Sequence, residues 1–304
     1  MSATITVRVP GSTANLGSGF DCLGVAVSRW VELVVRRAPD GTPVRLERRG
    51  ALAALQGPAD QDLVYRGFAR ACRAGNVAPP AVVMEAASDI PVGRGLGSSA
   101  AAVVAGAAAA RALCQLQLPD DALLALCAEL EGHPDNVAPS MRGGAVLALT
   151  TPAGRLVVTM VEIHPTLELV FAIPDFSLAT ERARAVLPTS VPQKTAVTAA
   201  ARSAALVLGL ARADRALLEV GLDDVLHVPH RRVLVPGYDA VTQAATQAGA
   251  FGATLSGSGS TLVAVAPAER GPAVEAAMTA AWRATGVRVE SFRLGHAVGG
   301  YEVS

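Results

Sequence analysis

The chain has 304 residues, enough for one large domain or two, and 51% of them are hydrophobic. Its 26 basic and 26 acidic residues cancel, which fits a soluble globular protein and excludes a nucleic-acid binder that works by net charge. The longest apolar run, residues 100–110, is mostly alanine and stops at Arg111, too short for a membrane span.

The N-terminal stretch MSATITVRV has no charged region followed by an apolar block, so no export signal is expected and the cytoplasm is the expected location. Residues 5–9 (ITVRV) alternate apolar and polar, a half-buried strand that Pro10 should end. The segment PGSTANLGSGFDCLGVAV, residues 10–27, starts small and polar and becomes strand-like at 23–27. It holds Asn15 and Asp21, which can hydrogen-bond a ligand; Asp21 can also take a cation or an amine. Both are also ordinary turn residues. Residues 31–35 and 44–47 read as strands and 57–62 as a loop. A helix is expected over 63–72, with Leu63, Val64, Phe68, Ala71 and Cys72 on one face, then a strand over 81–87.

The next stretch, PVGRGLGSSAA at 91–101, carries the strongest local signal. Gly93, Gly95 and Gly97 allow sharp turns, and Ser98 and Ser99 stand where a helix should begin. Free amides and a positive dipole end make such a place an anion site, with phosphate the usual occupant. A lysine-bearing Walker loop is excluded, since the one lysine is Lys194. The G-x-G-x-G spacing also fails the dinucleotide pattern G-x-G-x-x-G.

Helices are expected over 99–116 and 120–130, the second with Asp120 or Asp121 near its cap. EGHPDN, residues 131–136, then gathers two carboxylates, an imidazole and an amide at a helix end. Gly132 and Pro134 explain a helix stop there, but not the density of ligand-type side chains. A strand follows to about Thr150. The turn at 151–154 suggests a boundary between domains 1–154 and 155–304. Beyond it come strands at 155–163 and 167–173, and a short helix within 180–188 broken by Pro188. A long alanine-rich helix is expected over 194–211, then a loop over 223–237 with adjacent Arg231 and Arg232. A helix at 238–248, a strand–turn–strand at 252–267, a helix at 273–284 and a strand at 287–293 close the chain. That order suggests a ferredoxin-like α+β second domain. Cys22, Cys72, Cys114 and Cys127 form no C-x-x-C pair, which favours reduced thiols over a zinc or disulfide framework.

Taken together, PGSTANLGSGFDCLG, PVGRGLGSSAA, EGHPDNVAPSMRGG, TERARAVLP, HVPHRRVLVPG and GATLSGSGSTLVA resemble the motifs of the homoserine kinases within the GHMP small-molecule kinase family. They fall in order along nearly the whole chain. The resemblance implies an α+β GHMP kinase fold, with an N-terminal ribosomal-protein-S5-like α/β domain and a C-terminal ferredoxin-like domain. It implies transfer of the ATP γ-phosphoryl group to L-homoserine in threonine biosynthesis, with Mg²⁺, by a homodimer that needs no nucleic acid or membrane.

The resemblance also assigns roles. Pro91, Val92, Gly93, Arg94, Gly95, Leu96, Gly97, Ser98, Ser99, Ala100 and Ala101 would hold ATP. Ser98 and Glu131 would hold Mg²⁺, with Ser99 and Glu129 as substitutes. Arg184 and Arg231 would bind the substrate carboxylate and Asp21 its ammonium. Asn15, His133 and Asn136 would fix the rest. Asp135 and Asn136 are the catalytic candidates, with orientation of the hydroxyl by Asn136 favoured over base catalysis by Asp135. The chain departs from the family pattern at Gly11-Ser12-Thr13, at Ser18, at Ser260 where proline is usual, and at Asp62 where asparagine is common. The last leaves the adenine contacts open.

Overall fold

A computed structural model describes residues 4–304. Residues 1–3, the start of the stretch read above for an export signal, lie outside the described residues. The first part of the chain runs β1 (Thr4–Asn15), β2 (Gly19–Arg37), β3 (Arg45–Gly50), α1 (Leu63–Ala74), β4 (Val82–Ser88), α2 (Ser98–Leu113), α3 (Asp120–Glu131), α4 (Pro134–Arg142), β5 (Ala145–Thr150) and β6 (Leu156–Val161). The second part runs β7 (Leu167–Pro174), α5 (Thr180–Ala185), α6 (Gln193–Arg212), α7 (Arg215–Leu222), α8 (Val228–Arg231), α9 (Tyr238–Gln247), β8 (Gly252–Leu255), β9 (Leu262–Pro267), α10 (Gly271–Ala284), β10 (Val289–Leu294) and β11 (Glu302–Val303). One sheet has seven strands, with β11, β1, β2, β4 and β3 in order and the β5–β6 hairpin attached to β2. The other has four, in the order β10, β7, β9, β8. Two sheets with packed helices make this an α+β chain, the class that the resemblance implies.

Five expectations need correcting. Pro10 does not end its strand: the β1–β2 register shifts between Pro10 and Gly11 and the strand runs on. A bulge tolerates the missing proline N–H. The strands expected at 23–27 and 31–35 are both parts of β2. Pro134 stops nothing; it opens α4 at the first helical turn, where a proline N–H is not needed. The turn at 151–154 is the tip of the β5–β6 hairpin, so β6 belongs to the first sheet and the sheets divide after Val161. The short β11 also returns to pair with β1. Finally, α7 lies where no helix was expected, and the 223–237 segment holds α8 and a 3₁₀ turn at Arg232–Leu234.

The helix that matters most for function is α2. Twelve of its sixteen residues are buried. A helix apolar on all sides belongs in a core, and alanine and glycine let it pack closely there. A Cβ on Gly106 would sit 1.8 Å from the Val64 carbonyl of α1, and one on Gly67 would sit 2.3 Å from that of Val103. The two backbones therefore touch. This contact fixes α2 along its length and holds its N-terminus in place at the cleft. No helix among the described residues is long and apolar enough to cross a membrane.

Candidate active site

The loop from β4 to α2 takes the left-handed conformation at Gly93, Gly95 and Gly97, with φ of 68°, 74° and 68°. At two of these the neighbours leave no room for a side chain. A Cβ on Gly95 would lie 2.0 Å from the Ser256 carbonyl oxygen, and one on Gly97 would lie 2.1 Å from Ser12 Oγ. The loop is clamped between β1 and the β8–β9 turn. Ser12 N donates to the Leu96 carbonyl (3.1 Å), Leu178 N to that of Gly93 (2.8 Å) and Thr261 N to that of Arg94 (3.2 Å). Ser256 Oγ donates to the Gly95 carbonyl (2.6 Å), and Arg94 Nη2 donates to the Asp175 carbonyl (3.1 Å). Loop carbonyls are thus used up by the scaffold. The first-turn amides of α2 have no helical acceptors and form an anion site.

One cleft of about 340 Å³ collects the expected residues. The loop from Pro91 to Ser99 lines it, as do Asn15, Asp21, Glu131, His133, Asp135, Asn136, Arg184 and Arg231. Ala100 and Ala101 are not on its wall, and their side chains are fully buried on the core side of α2. The far end of the cleft is apolar, with Leu46, Leu52, Leu55 and Leu63 on its wall. There Asp62 Oδ1 accepts from Val64 N (2.9 Å) and so caps α1, while its Oδ2 accepts from Arg48 Nε (2.7 Å).

Beside the loop, Ser99 Oγ donates to Glu131 Oε1. Burial raises the Glu131 carboxyl above its ordinary value, the Ser99 bond and His133 opposing. Glu129, its possible substitute, points to the surface and pairs with Arg70 at 3.0 Å. Next in the chain, His133 Nδ1 shares a short hydrogen bond with Asp135 Oδ1, which also accepts from Asn136 Nδ2 at 3.3 Å. Burial alone would depress His133. The bond and charge of Asp135, with Glu131 behind, outweigh it and raise the imidazole above 6.5. Asn136 Oδ1 accepts from Ser12 Oγ (3.0 Å), so both ends of its amide are fixed.

At the charged end, Asn15 Nδ2 donates to the Gly257 carbonyl (2.7 Å) and its Oδ1 accepts from Asp21 N (2.9 Å). Asn15 thus spends its amide holding the β1–β2 turn, in which Asn15 and Asp21 have φ of 73° and 55°. Arg184 binds Asp21 through both Nη atoms, at 3.0 and 3.2 Å. Arg231 is only 2% exposed. Its Nε donates to the Ala183 carbonyl (3.1 Å) and its Nη1 approaches His227 Nδ1 (3.3 Å). Burial, then the nearby Arg184 charge, lowers its guanidinium below the ordinary value. Arg232 turns to the surface and pairs with Asp239. Cys22, close to this end, has its thiol pushed up to about 11, mainly by burial, which makes it a poor nucleophile. The sequence reading missed Phe20, His227 and Asp224, which support Arg231 from behind.

A helix-start anion loop, a carboxylate beside it and a compact pocket of paired charges define a small-molecule phosphotransferase. Residues 62–144 match the model for the GHMP kinases N terminal domain, and 206–284 the model for the GHMP kinases C terminal domain. The chain is 41% identical to a homoserine kinase of Synechococcus sp. over 299 residues, covering 98% of this chain and 97% of that one. It is 42% identical to a homoserine kinase of Picosynechococcus sp., with 94% of each covered. The crystal structure of homoserine kinase from Cytophaga hutchinsonii superposes with a TM-score of 0.89 at 30% identity, covering 99% of this chain and 97% of that chain. The chain belongs to the homoserine kinases of the GHMP kinase family, and a kinase of this family uses ATP.

Proposed function

We propose that this cleft phosphorylates L-homoserine on its side-chain hydroxyl, giving O-phospho-L-homoserine, ADP and a proton, in threonine biosynthesis. The observation that carries the reading is the charged end of the cleft. Asp21, Arg184 and Arg231 offer one carboxylate and two guanidiniums in one pocket, the complement of a small zwitterion. Arginine suits a carboxylate because its planar fork bonds two oxygens at once. The apolar end takes the adenine, and the loop from Gly93 to Ser99 with the α2 N-terminus holds the phosphates.

Little covalent work falls to a protein in phosphoryl transfer; positioning and charge neutralisation dominate. Asn136, fixed at both ends of its amide, orients the substrate hydroxyl. Asp135 Oδ1 is already engaged by His133 and Asn136, which favours passage of the hydroxyl proton to the transferred phosphate over base catalysis by Asp135. The donor set also fits magnesium. Ser98, Ser99 and Glu131 supply hard oxygens, and Glu131 has no cationic side chain paired to it among the described residues. A metal held by few protein ligands and completed by phosphate and water is the usual magnesium arrangement. Bound there, it would neutralise charge on the phosphates. The reading carries with it a homodimer and a cytoplasmic location.

The test is ATP consumption by the purified protein with homoserine, mevalonate, serine, threonine and galactose. Homoserine should give the highest kcat/KM. Mevalonate or galactose used at least as well would overturn the assignment.

A further inference from the structure

The buried cation Arg231 is held by side chains that the reaction itself does not use. Arg231 has no ion pair of its own among the described residues, although it is almost wholly enclosed. An enclosed, unpaired charge is costly unless something fixes and satisfies it. Here His227 does so. Its Nε2 donates to the Gly17 carbonyl at 3.0 Å. That bond puts the ring proton on Nε2 and leaves Nδ1 as an acceptor, 3.3 Å from Arg231 Nη1. The ring also stacks on Phe20, with centroids 4.7 Å apart and an 18° tilt, and the Arg231 guanidinium lies 5.1 Å from the same Phe20 ring. Behind it, Asp224 Oδ2 accepts the amides of Leu226, His227 and Val228, at 3.0, 2.6 and 2.8 Å, and so fixes the start of α8.

We infer that His227 is the positioning residue that sets the anion specificity of the substrate pocket, by binding one N–H of Arg231 and leaving the remaining guanidinium donors for the substrate carboxylate. With Nε on Ala183 and one Nη1 hydrogen on His227, the fork has two fixed points and cannot swing. Neutral His227 adds no second positive charge, so Arg231 keeps its full charge for the ligand. Burial keeps it neutral by lowering its pKa below 6.5. His227 touches no reacting atom and acts through Arg231 alone.

The inference rests on the homoserine reading, and turnover of homoserine by the unaltered protein tests that reading first. His227→Phe, His227→Gln and His227→Asn are then compared. Phenylalanine keeps the stack on Phe20 but accepts nothing from Arg231. Glutamine replaces the Nε2 donor and asparagine the Nδ1 acceptor. The KM for homoserine should rise about tenfold in the Phe and Gln variants, the effect of an unsatisfied buried donor, and recover most of the way in the Asn variant. The KM for ATP and kcat should stay within about threefold, since neither depends on Arg231. The inhibition constant of 3-aminopropan-1-ol, homoserine without its carboxylate, should not change in any variant. Circular dichroism and ATP binding check that each variant is folded. Homoserine turnover with an unchanged KM in His227→Phe overturns the inference and leaves the reading intact. So does an equal loss for 3-aminopropan-1-ol. A variant that does not fold is replaced by Phe20→Leu, which removes the ring under both groups and should give the same selective rise.

Discussion

Arg184 grips Asp21 with both ends of its guanidinium, Nη2 to Oδ1 at 3.0 Å and Nη1 to Oδ2 at 3.2 Å. The sequence reading gives these residues separate tasks, one on the substrate ammonium and one on its carboxylate. In the structure they satisfy one another. Both are somewhat more than a third exposed, at 39% and 38%. A pair this exposed contributes about 0–1 kcal/mol, so a zwitterion can exchange it at little cost. The ammonium would take the place of Arg184 on Asp21, and the carboxylate would take Arg184.

This makes the two arginines unequal. Arg231 is 2% exposed and has only neutral partners. Arg231→Gln should weaken homoserine by about thirty-fold or more, the effect of stranding a shielded charge at about 2–5 kcal/mol. Arg184→Gln and Asp21→Asn should each cost roughly fivefold, because solvent screens them. The KM for ATP should stay within a few-fold in all three. Steady-state kinetics in both substrates checks the order, and a larger loss in Arg184→Gln than in Arg231→Gln would contradict it.

The loop glycines differ in the same way. A side chain at Gly97 would meet Ser12, whose Oγ lies 2.1 Å from a Cβ built there. Gly95 meets the Ser256 carbonyl at 2.0 Å, while Gly93 meets only Ser177 Cβ at 3.3 Å. Gly97→Ala and Gly95→Ala should therefore lower Tm without nucleotide by on the order of 5 °C or more. Gly93→Ala should cost mainly its left-handed backbone, about 1–2 kcal/mol. Equal Tm for the three variants would mean that the clamp is loose.

Much of the site is legible in the sequence because some residue patterns have no cheap structural explanation. Glycines at alternate positions before Ser98 and Ser99, and the crowding in EGHPDN, are of that kind. What aims these groups is not legible. Phe20, His227 and Asp224 each look ordinary, and only folding brings the β1–β2 turn against α8. Pro134 has the same signature whether it ends one helix or begins the next. The turn chemistry of 151–154 says nothing about which sheet the following strand joins, and β11, with two residues, has no periodicity to read. The Asp21–Arg184 pair spans 163 positions with no local signal at either end.

Glu131 and Glu129 separate metal binding from surface charge. Glu131→Gln should lower kcat strongly and raise the Mg²⁺ concentration needed for half-maximal rate. Glu129→Gln should do little, since Glu129 is 69% exposed and paired with Arg70. Stability should move the other way. The folded-state pKa of Glu131 is raised by burial, so above that pKa the fold bears the cost of keeping it ionised, and below the unfolded value it does not. Glutamine removes the charge and still accepts from Ser99. Tm of Glu131→Gln at pH 8 should therefore equal or exceed that of the unaltered protein. A lower Tm together with an unchanged Mg²⁺ requirement would make Glu131 a structural residue.

His133 provides the pH test. Burial alone would lower its pKa; the hydrogen bond and charge of Asp135, helped by Glu131, hold it above 6.5. A raised folded-state pKa means that the fold binds the proton more tightly than the unfolded chain does. The stabilisation is complete below 6.5, the unfolded value, and is lost as pH rises through the folded value. The raised pKa favours the imidazolium, a cation beside the Asp135 and Glu131 carboxylates. In Asp135→Asn the raising partner is gone and burial prevails, so the His133 pKa should drop below 6.5 and the stability loss on the alkaline side should disappear. An NMR titration of the ring of His133, assigned with His133→Gln, measures the first effect. Denaturant unfolding at pH 6 and pH 9 measures the second. Titration of His133 at or below 6.5 in the unaltered protein would remove the basis for both.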